Sequence, residues 1–284
     1  MVKKNKMERN KKEILIFFTL LLIFTGIGYI LIYQSEDPNV EDSLLTLLLV
    51  YSPFFAAILT RLISEGNIKA LGWKFGKGKY LFISLLIPII AGIIVYGFAW
   101  ISQIGVFNEN SNIGLGSDLP KSLDFLIFCI LGLFARTIGA FGEEVGWRGF
   151  LTPRLYKLTN FTTTSIIIGV IWFIWHIPLL MMTNYGGDIS MLKFTFGAIS
   201  LISISFMLTW MRIKSGSLWI GVFYHASHNF FIQNVFDQVL IEKGDKNFFL
   251  TEMGIGLCIT SIVIGVIFWK LRNKLPKPEK YLVR

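Results

Sequence analysis

The chain has 284 residues, 54% of them hydrophobic, and a mean hydropathy of +0.62, which excludes an ordinary soluble globular domain. Its net charge of +9 is not gathered into a nucleic-acid patch; no nucleic-acid partner is expected. Cys129 and Cys258 are lone cysteines in apolar runs without CxxC or CxxH spacing, which excludes a disulfide framework and a zinc ribbon and leaves packing as their role.

Eight apolar runs, each near the roughly 20 residues that cross a hydrocarbon core, follow in chain order. They are Ile14–Tyr33, Leu44–Leu62, Tyr80–Ile101, Phe125–Leu151, Ser165–Met182, Phe194–Met211, Ser217–Phe236 and Phe249–Leu271. The first has a basic flank but is longer than a signal-peptide core. No small-residue cleavage site follows it, only Tyr33-Gln34-Ser35-Glu36-Asp37, so it is expected to stay as a membrane helix. With the amino terminus inside, the cytoplasmic segments hold 22 of the 27 Lys and Arg residues. The outer loops hold only Lys121, Lys193, Lys243 and Lys246, and Arg136 lies within the fourth run. This bias obeys the positive-inside rule and needs an even number of spans. The expected fold is all-α: a polytopic membrane bundle of about eight transmembrane helices with both termini cytoplasmic, forming one domain over residues 1–284. The basic tails, Lys3 to Lys12 and Lys270 to Arg284, are expected to meet anionic lipid headgroups at the cytoplasmic face.

The longest connection, near Ser102–Leu123, is rich in Asn, Gly and Ser and reads as irregular surface. The inner loop Ser64–Lys79 carries four glycines but not the spacing of a phosphate-binding loop.

The fourth run holds Glu143-Glu144-Val145-Gly146-Trp147-Arg148. Ionised side chains cost roughly 2.5–3.5 kcal/mol each at membrane depth on insertion scales, so three together call for a task. Taking a helix to about Thr152, Glu143 lies roughly 13 Å from the cytoplasmic end, His176 roughly 16 Å, and His225 and Asn229 roughly 12 and 18 Å. Three antiparallel segments thus bring polar groups to one level. Glu144 and Arg148, four apart, share a face and can pair, while Glu143 points about 100° away. His225 and Asn229 are also four apart, placing an imidazole and a carboxamide side by side as donors to a developing oxyanion. Each feature has a plainer reading: a structural ion pair for Glu144 and Arg148, a packed histidine for His176 and a cavity-lining one for His228. Arg136 reads as a helix-pairing or cavity charge, and Trp147, Trp172 and Trp175 as packing around the cavity. The combination, with all three histidines near one glutamate pair, favours chemistry.

These residues resemble the CPBP intramembrane proteases, which include CAAX-prenyl endopeptidases and bacterial Abi proteins. EEVGWRGF fits their EExxxR motif, WFIWHIPL looks like their aromatic-xxx-His motif, and HASHN fits their His-xxx-Asn motif. The core of the resemblance spans residues 125–236. One departure stands out: the second motif usually opens with Phe, and Trp172 holds that place, a change expected to touch only packing. The resemblance implies an endopeptidase acting on membrane-associated or lipidated peptides. Glu143 and His176 would activate water, His225 and Asn229 would stabilise the oxyanion, and Glu144 and Arg148 would support them, in a site open toward the cytoplasm. No cofactor is implied. Zinc is the rival route to an activated water, disfavoured by the lack of HExxH and by the weak affinity of carboxamides for zinc. Competing functions are a non-catalytic bacteriocin-immunity or scaffold protein, and an ion-coupled transporter, against which no inverted repeat is visible. The richness in Lys, Ile, Phe and Asn suits a bacterial cytoplasmic membrane.

Overall fold

Helix α1, Val2–Ser35, is 34 residues long and carries the first apolar run. The structure, a computed structural model, describes residues 2–35, 43–111, 113–182, 190–243 and 248–281. Glu36, Asp37, Lys246 and Arg284, used in the sequence reading, lie outside the described residues.

The second run is broken into α2, Leu44–Val50, and α3, Ser52–Glu65, bent by 44°. Pro53 causes the break: it has no N–H to donate and is best placed in the first turn of a new helix. Ser43 caps α2 by accepting the Thr46 N–H, and Gly66, at φ 63°, ends α3 in a left-handed conformation. Helix α4 follows over Gly78–Ile101. The fourth run is continuous for 38 residues: α5, Lys121–Glu144, then a π-helical stretch Val145–Leu151, then α6, Thr152–Leu158. Pro153 does not end it, because the proline sits in the first turn after the π-helix and Thr152 Oγ1 donates to the Trp147 carbonyl at 2.8 Å.

Helix α7, Phe161–Met182, and α8, Met191–Ser215, pack closely, and α8 also lies along α11, Ile255–Lys270. Gly169 and Gly265 permit this: an added Cβ would meet the α8 backbone at Ile202 and Ser203 at 2.5 and 2.7 Å. Between them in sequence, α9, Trp219–His228, passes into a second π-helix, Asn229–Phe236, and then one turn, α10, Asp237–Val239. Helix α9 packs on α4 and α5.

The chain is an all-α, multi-pass membrane protein, 79% helical. Among the described residues six helices are long and apolar enough to cross a membrane, or seven with the bent α2–α3 pair. The seventh expected span, Ser217–Phe236, is helical from Trp219 onward but is not among them; it carries His225, His228, Asn229, Gln233 and Asn234. The connection 102–123 is not wholly irregular: β1, Gly105–Phe107, pairs antiparallel with β2, Leu240–Glu242, with Val106 opposite Ile241.

Four arginines counted as cytoplasmic charges are buried rather than displayed, Arg148 and three others. Arg61, Arg154 and Arg212 are at most 4% exposed. Buried Glu13 of α1 holds Arg154 Nε at 2.5 Å and faces Arg61 Nη1 at 3.8 Å, tying α1, α3 and α6 together. Arg212 Nε donates to the Arg148 carbonyl at 2.6 Å. The inner end of the bundle is thus closed by buried charge.

Candidate active site

The two glutamates end α5, where the backbone widens from α to π. Asn229 opens the second π-helix, so both motif helices change pitch beside site residues. Single-turn π segments of this kind are frequent at functional sites. The wider turn keeps the Arg148 guanidinium on Glu144, with Nη1 to Oε1 at 2.6 Å. Gly221 lets α9 approach: a Cβ there would overlap the Glu144 carboxylate.

Glu143 and Glu144 are both buried and differ in their partners. Glu143 Oε2 accepts two indole N–H groups, from Trp172 at 2.7 Å and Trp147 at 3.2 Å. Glu144 Oε1 accepts from Arg148 and lies 3.3 Å from His225 Nδ1. Arg148 also lies over the Trp172 ring, 4.1 Å from its centroid. Glu144 Oε2 and Arg148 Nη2 have no hydrogen-bond partner among the described residues.

The hydrogen bonds fix the imidazoles. His176 Nδ1 lies 2.8 Å from the Trp172 carbonyl, which can only accept, so Nδ1 carries the proton and a neutral ring has its lone pair on Nε2. His225 Nδ1 likewise donates to the Glu144 carboxylate, and its ring meets Trp172 edge-on, with centroids 5.4 Å apart.

Glu143, His176, His225 and Asn229 line one cavity of about 780 Å³. An opening toward the cytoplasm was expected; the described lining extends from Glu143 toward the start of α5. Its wall climbs α5 from Glu143 through Arg136 and Gly132 to Phe128, and crosses to Ser43 and Leu47 of α2 and Gln233 and Asn234 of the second π-helix. Those positions lead to the end that the charge bias puts outside. Toward the inside, Trp147, Phe150 and Leu151 are fully buried and close the way. His176, His225 and Asn229 also border a second cavity of about 80 Å³, walled by Phe173, Leu201, Met253 and Leu257, where His228 sits 3.9 Å from Glu252.

All six residues singled out from the sequence therefore meet in one place. His228 and Arg136 line cavity walls, and Arg136 also pairs helices through Asn234. The role of the tryptophans changes: Trp147 and Trp172 bind Glu143 directly, and Trp175 Nε1 donates to Thr25 Oγ1 at 3.1 Å. Trp147, four residues after Glu143, was within reach of helical spacing; Trp172 was not, because its bond crosses between helices. The Phe-to-Trp departure in the second motif consequently adds a hydrogen bond that phenylalanine cannot make. Among the described residues, no group of three or more His, Cys, Asp or Glu side chains could hold a metal ion.

The sequence profile of the type II CAAX prenyl endopeptidase Rce1-like family matches residues 125–231, the stretch that carries all three motifs. A CAAX prenyl protease 2 from Methanococcus maripaludis is 27% identical over 148 residues, half of this chain and 51% of the relative. A lysostaphin resistance protein A from Staphylococcus haemolyticus is 25% identical over 241 residues, covering 81% of this chain and 62% of the relative. One from Staphylococcus epidermidis is 26% identical over 227 residues, covering 77% and 55%. The chain thus spans about half to three-fifths of the length of these relatives.

Proposed function

We propose that the protein is a membrane-embedded endopeptidase that hydrolyses a peptide bond with a water activated by Glu143 and His176. The observation that carries this reading is the shared cavity: a carboxylate and two imidazoles converge on one space, beside a carboxamide. Trp147 and Trp172 tie one oxygen of Glu143 and orient the other, Oε1, as a proton acceptor. His176, held through Nδ1, offers Nε2 to the same water.

The water oxygen attacks the carbonyl carbon, one proton passes to Glu143 or His176, and charge moves to the carbonyl oxygen. Collapse breaks the C–N bond and returns the proton to the leaving nitrogen. Asn229 and His225 stabilise the oxyanion by donation. Because His225 Nδ1 already faces Glu144, donation from Nε2 requires the imidazolium, whose charge then sits 3.3 Å from that carboxylate. Glu144 and Arg148 thereby act on His225 rather than on the water.

The Rce1-like profile and the relative named CAAX prenyl protease 2 support the reaction class. The relatives named lysostaphin resistance protein A favour a bacterial cytoplasmic membrane and keep a second reading, in which the protein gives resistance or immunity without cleavage. The basic residues of the inner end would face anionic headgroups. Membrane proteomics on cells carrying the wild type or Glu143→Gln tests the choice. Peptides that accumulate uncut only in the variant are expected; an unchanged peptide set with an unchanged cell phenotype overturns the proteolytic reading.

A further inference from the structure

Arg136 lies within α5, fifteen residues and roughly 22 Å from the start of the helix at Lys121. A guanidinium so deep in an apolar span is costly unless it faces a polar partner or a wet cavity, and such residues mark ligand paths. Arg136 has both. Its Nε donates to Asn234 Oδ1 at 3.0 Å, and the side chain lines the 780 Å³ cavity. Among the described residues no carboxylate forms an ion pair with it, so the four N–H groups on its two terminal nitrogens are not committed to an acid. Asn234 fixes the guanidinium plane from the opposite helix, as a bidentate site for a planar anion requires. Seven residues, two turns or about 10 Å, separate Arg136 from Glu143 on one face of α5. An anion held there is a few peptide residues from the water-activating carboxylate, in the same cavity.

We propose that Arg136, oriented by Asn234, is a carboxylate-binding subsite for the peptide that enters this cavity. It deepens, and rests on, the endopeptidase reading. The carboxylate is either a chain terminus or an acidic side chain, and the site selects peptides that bring one to the outer part of the cavity.

The test uses the full chain carrying Glu143→Gln in neutral detergent, so that binding is read without cleavage. The probes are a pool of octapeptides randomised over Ala, Val, Leu and Phe, made as free acids, as C-terminal amides, and as amides with one Asp. The free acids are expected to bind about tenfold or more tighter than the plain amides. Arg136→Gln should abolish the difference and Arg136→Lys should keep part of it. Asn234→Asp, which sets a carboxylate against Arg136, should weaken acid binding even if Arg136→Gln does not fold. Recovery of tight binding by the Asp-containing amides assigns the anion to a side chain; its absence assigns it to the terminus. Equal binding of acids and amides, or a preference for acids that survives both Arg136→Gln and Asn234→Asp, overturns the subsite. Displacement of the acids by phosphatidylglycerol in an Arg136-dependent manner makes it a lipid site and also overturns it. An acid preference in a protein whose wild type cuts no peptide defeats only the hydrolytic reading, and cleavage without acid preference defeats only the subsite.

Discussion

Glu143 and Glu144 are adjacent in the chain and belong to two different regions. Glu143 looks into a large cavity, with one oxygen held by neutral indole donors and no ion-pair partner among the described residues. Glu144 looks into the sealed side, where Arg148, His225 and Gly221 enclose it and Arg212 braces the Arg148 carbonyl. The first arrangement leaves a carboxylate able to accept a proton; the second uses a carboxylate to hold helices and an imidazole in place. A single step of about 100° around a helix separates the carboxylate proposed to take the proton from the one paired with Arg148.

That contrast is broken most sharply by two substitutions read with two assays. Glu143→Gln keeps the shape and still accepts from the indoles, so thermal unfolding in detergent should move little. Its cleavage rate should fall by about a thousandfold, within the range for loss of a general base. Arg148→Met should do the reverse in kind: it leaves Glu144 buried and uncompensated, at a cost of about 3–5 kcal/mol in stability. A fall in activity without a fall in unfolding temperature for Arg148→Met would show that the sealed pair is part of the chemistry instead.

A subtler probe lies on the border between the regions. Trp172 donates to Glu143 while its ring carries Arg148 on one face and His225 at its edge. Trp172→Phe restores the residue usual in the motif and deletes only the N–H. A hydrogen bond to a charged group is worth about 1.5–3 kcal/mol, so a rate loss of roughly tenfold or more is expected, with a displaced pH–rate profile. An unchanged profile with lowered stability would reduce Trp172 to packing.

The bundle was legible because a hydrocarbon core demands long apolar helices, and the runs located them, although α1 begins at Val2 rather than Ile14 and α11 at Ile255 rather than Phe249. What escaped notice depends on contacts rather than length. The second run was read as one span, so neither its break at Pro53 nor the place of Ser43 and Leu47 in the cavity wall was foreseen. Nothing in Val145–Leu151 signals π pitch. Two three-residue strands more than 130 residues apart carry no periodicity to read. Arg61, Arg154 and Arg212 obeyed the charge rule by position yet are buried, since the rule counts location and not exposure. The clustering of the candidate residues was readable from spacing because i, i+4 pairs share a face of a helix. The direction in which the cavity opens was not, because it is set by which helices surround α5.

The smallest expected effect is none at all: a chelator should leave the cleavage rate unchanged. A metal-bound water would need several ligands aimed at one point, and the side chains here are turned to other uses. Glu143 Oε2 is taken by two indoles, His176 Nδ1 by a carbonyl, and His225 Nδ1 by Glu144, whose Oε1 is shared with Arg148. What these residues bring to the cavity is a carboxylate, two imidazoles and a carboxamide on three segments, a set suited to passing a proton and receiving an oxyanion. Loss of activity in 1,10-phenanthroline, restored by added zinc, would reassign those same atoms to metal ligation. The rate of Glu143→Gln would then report metal affinity rather than proton transfer.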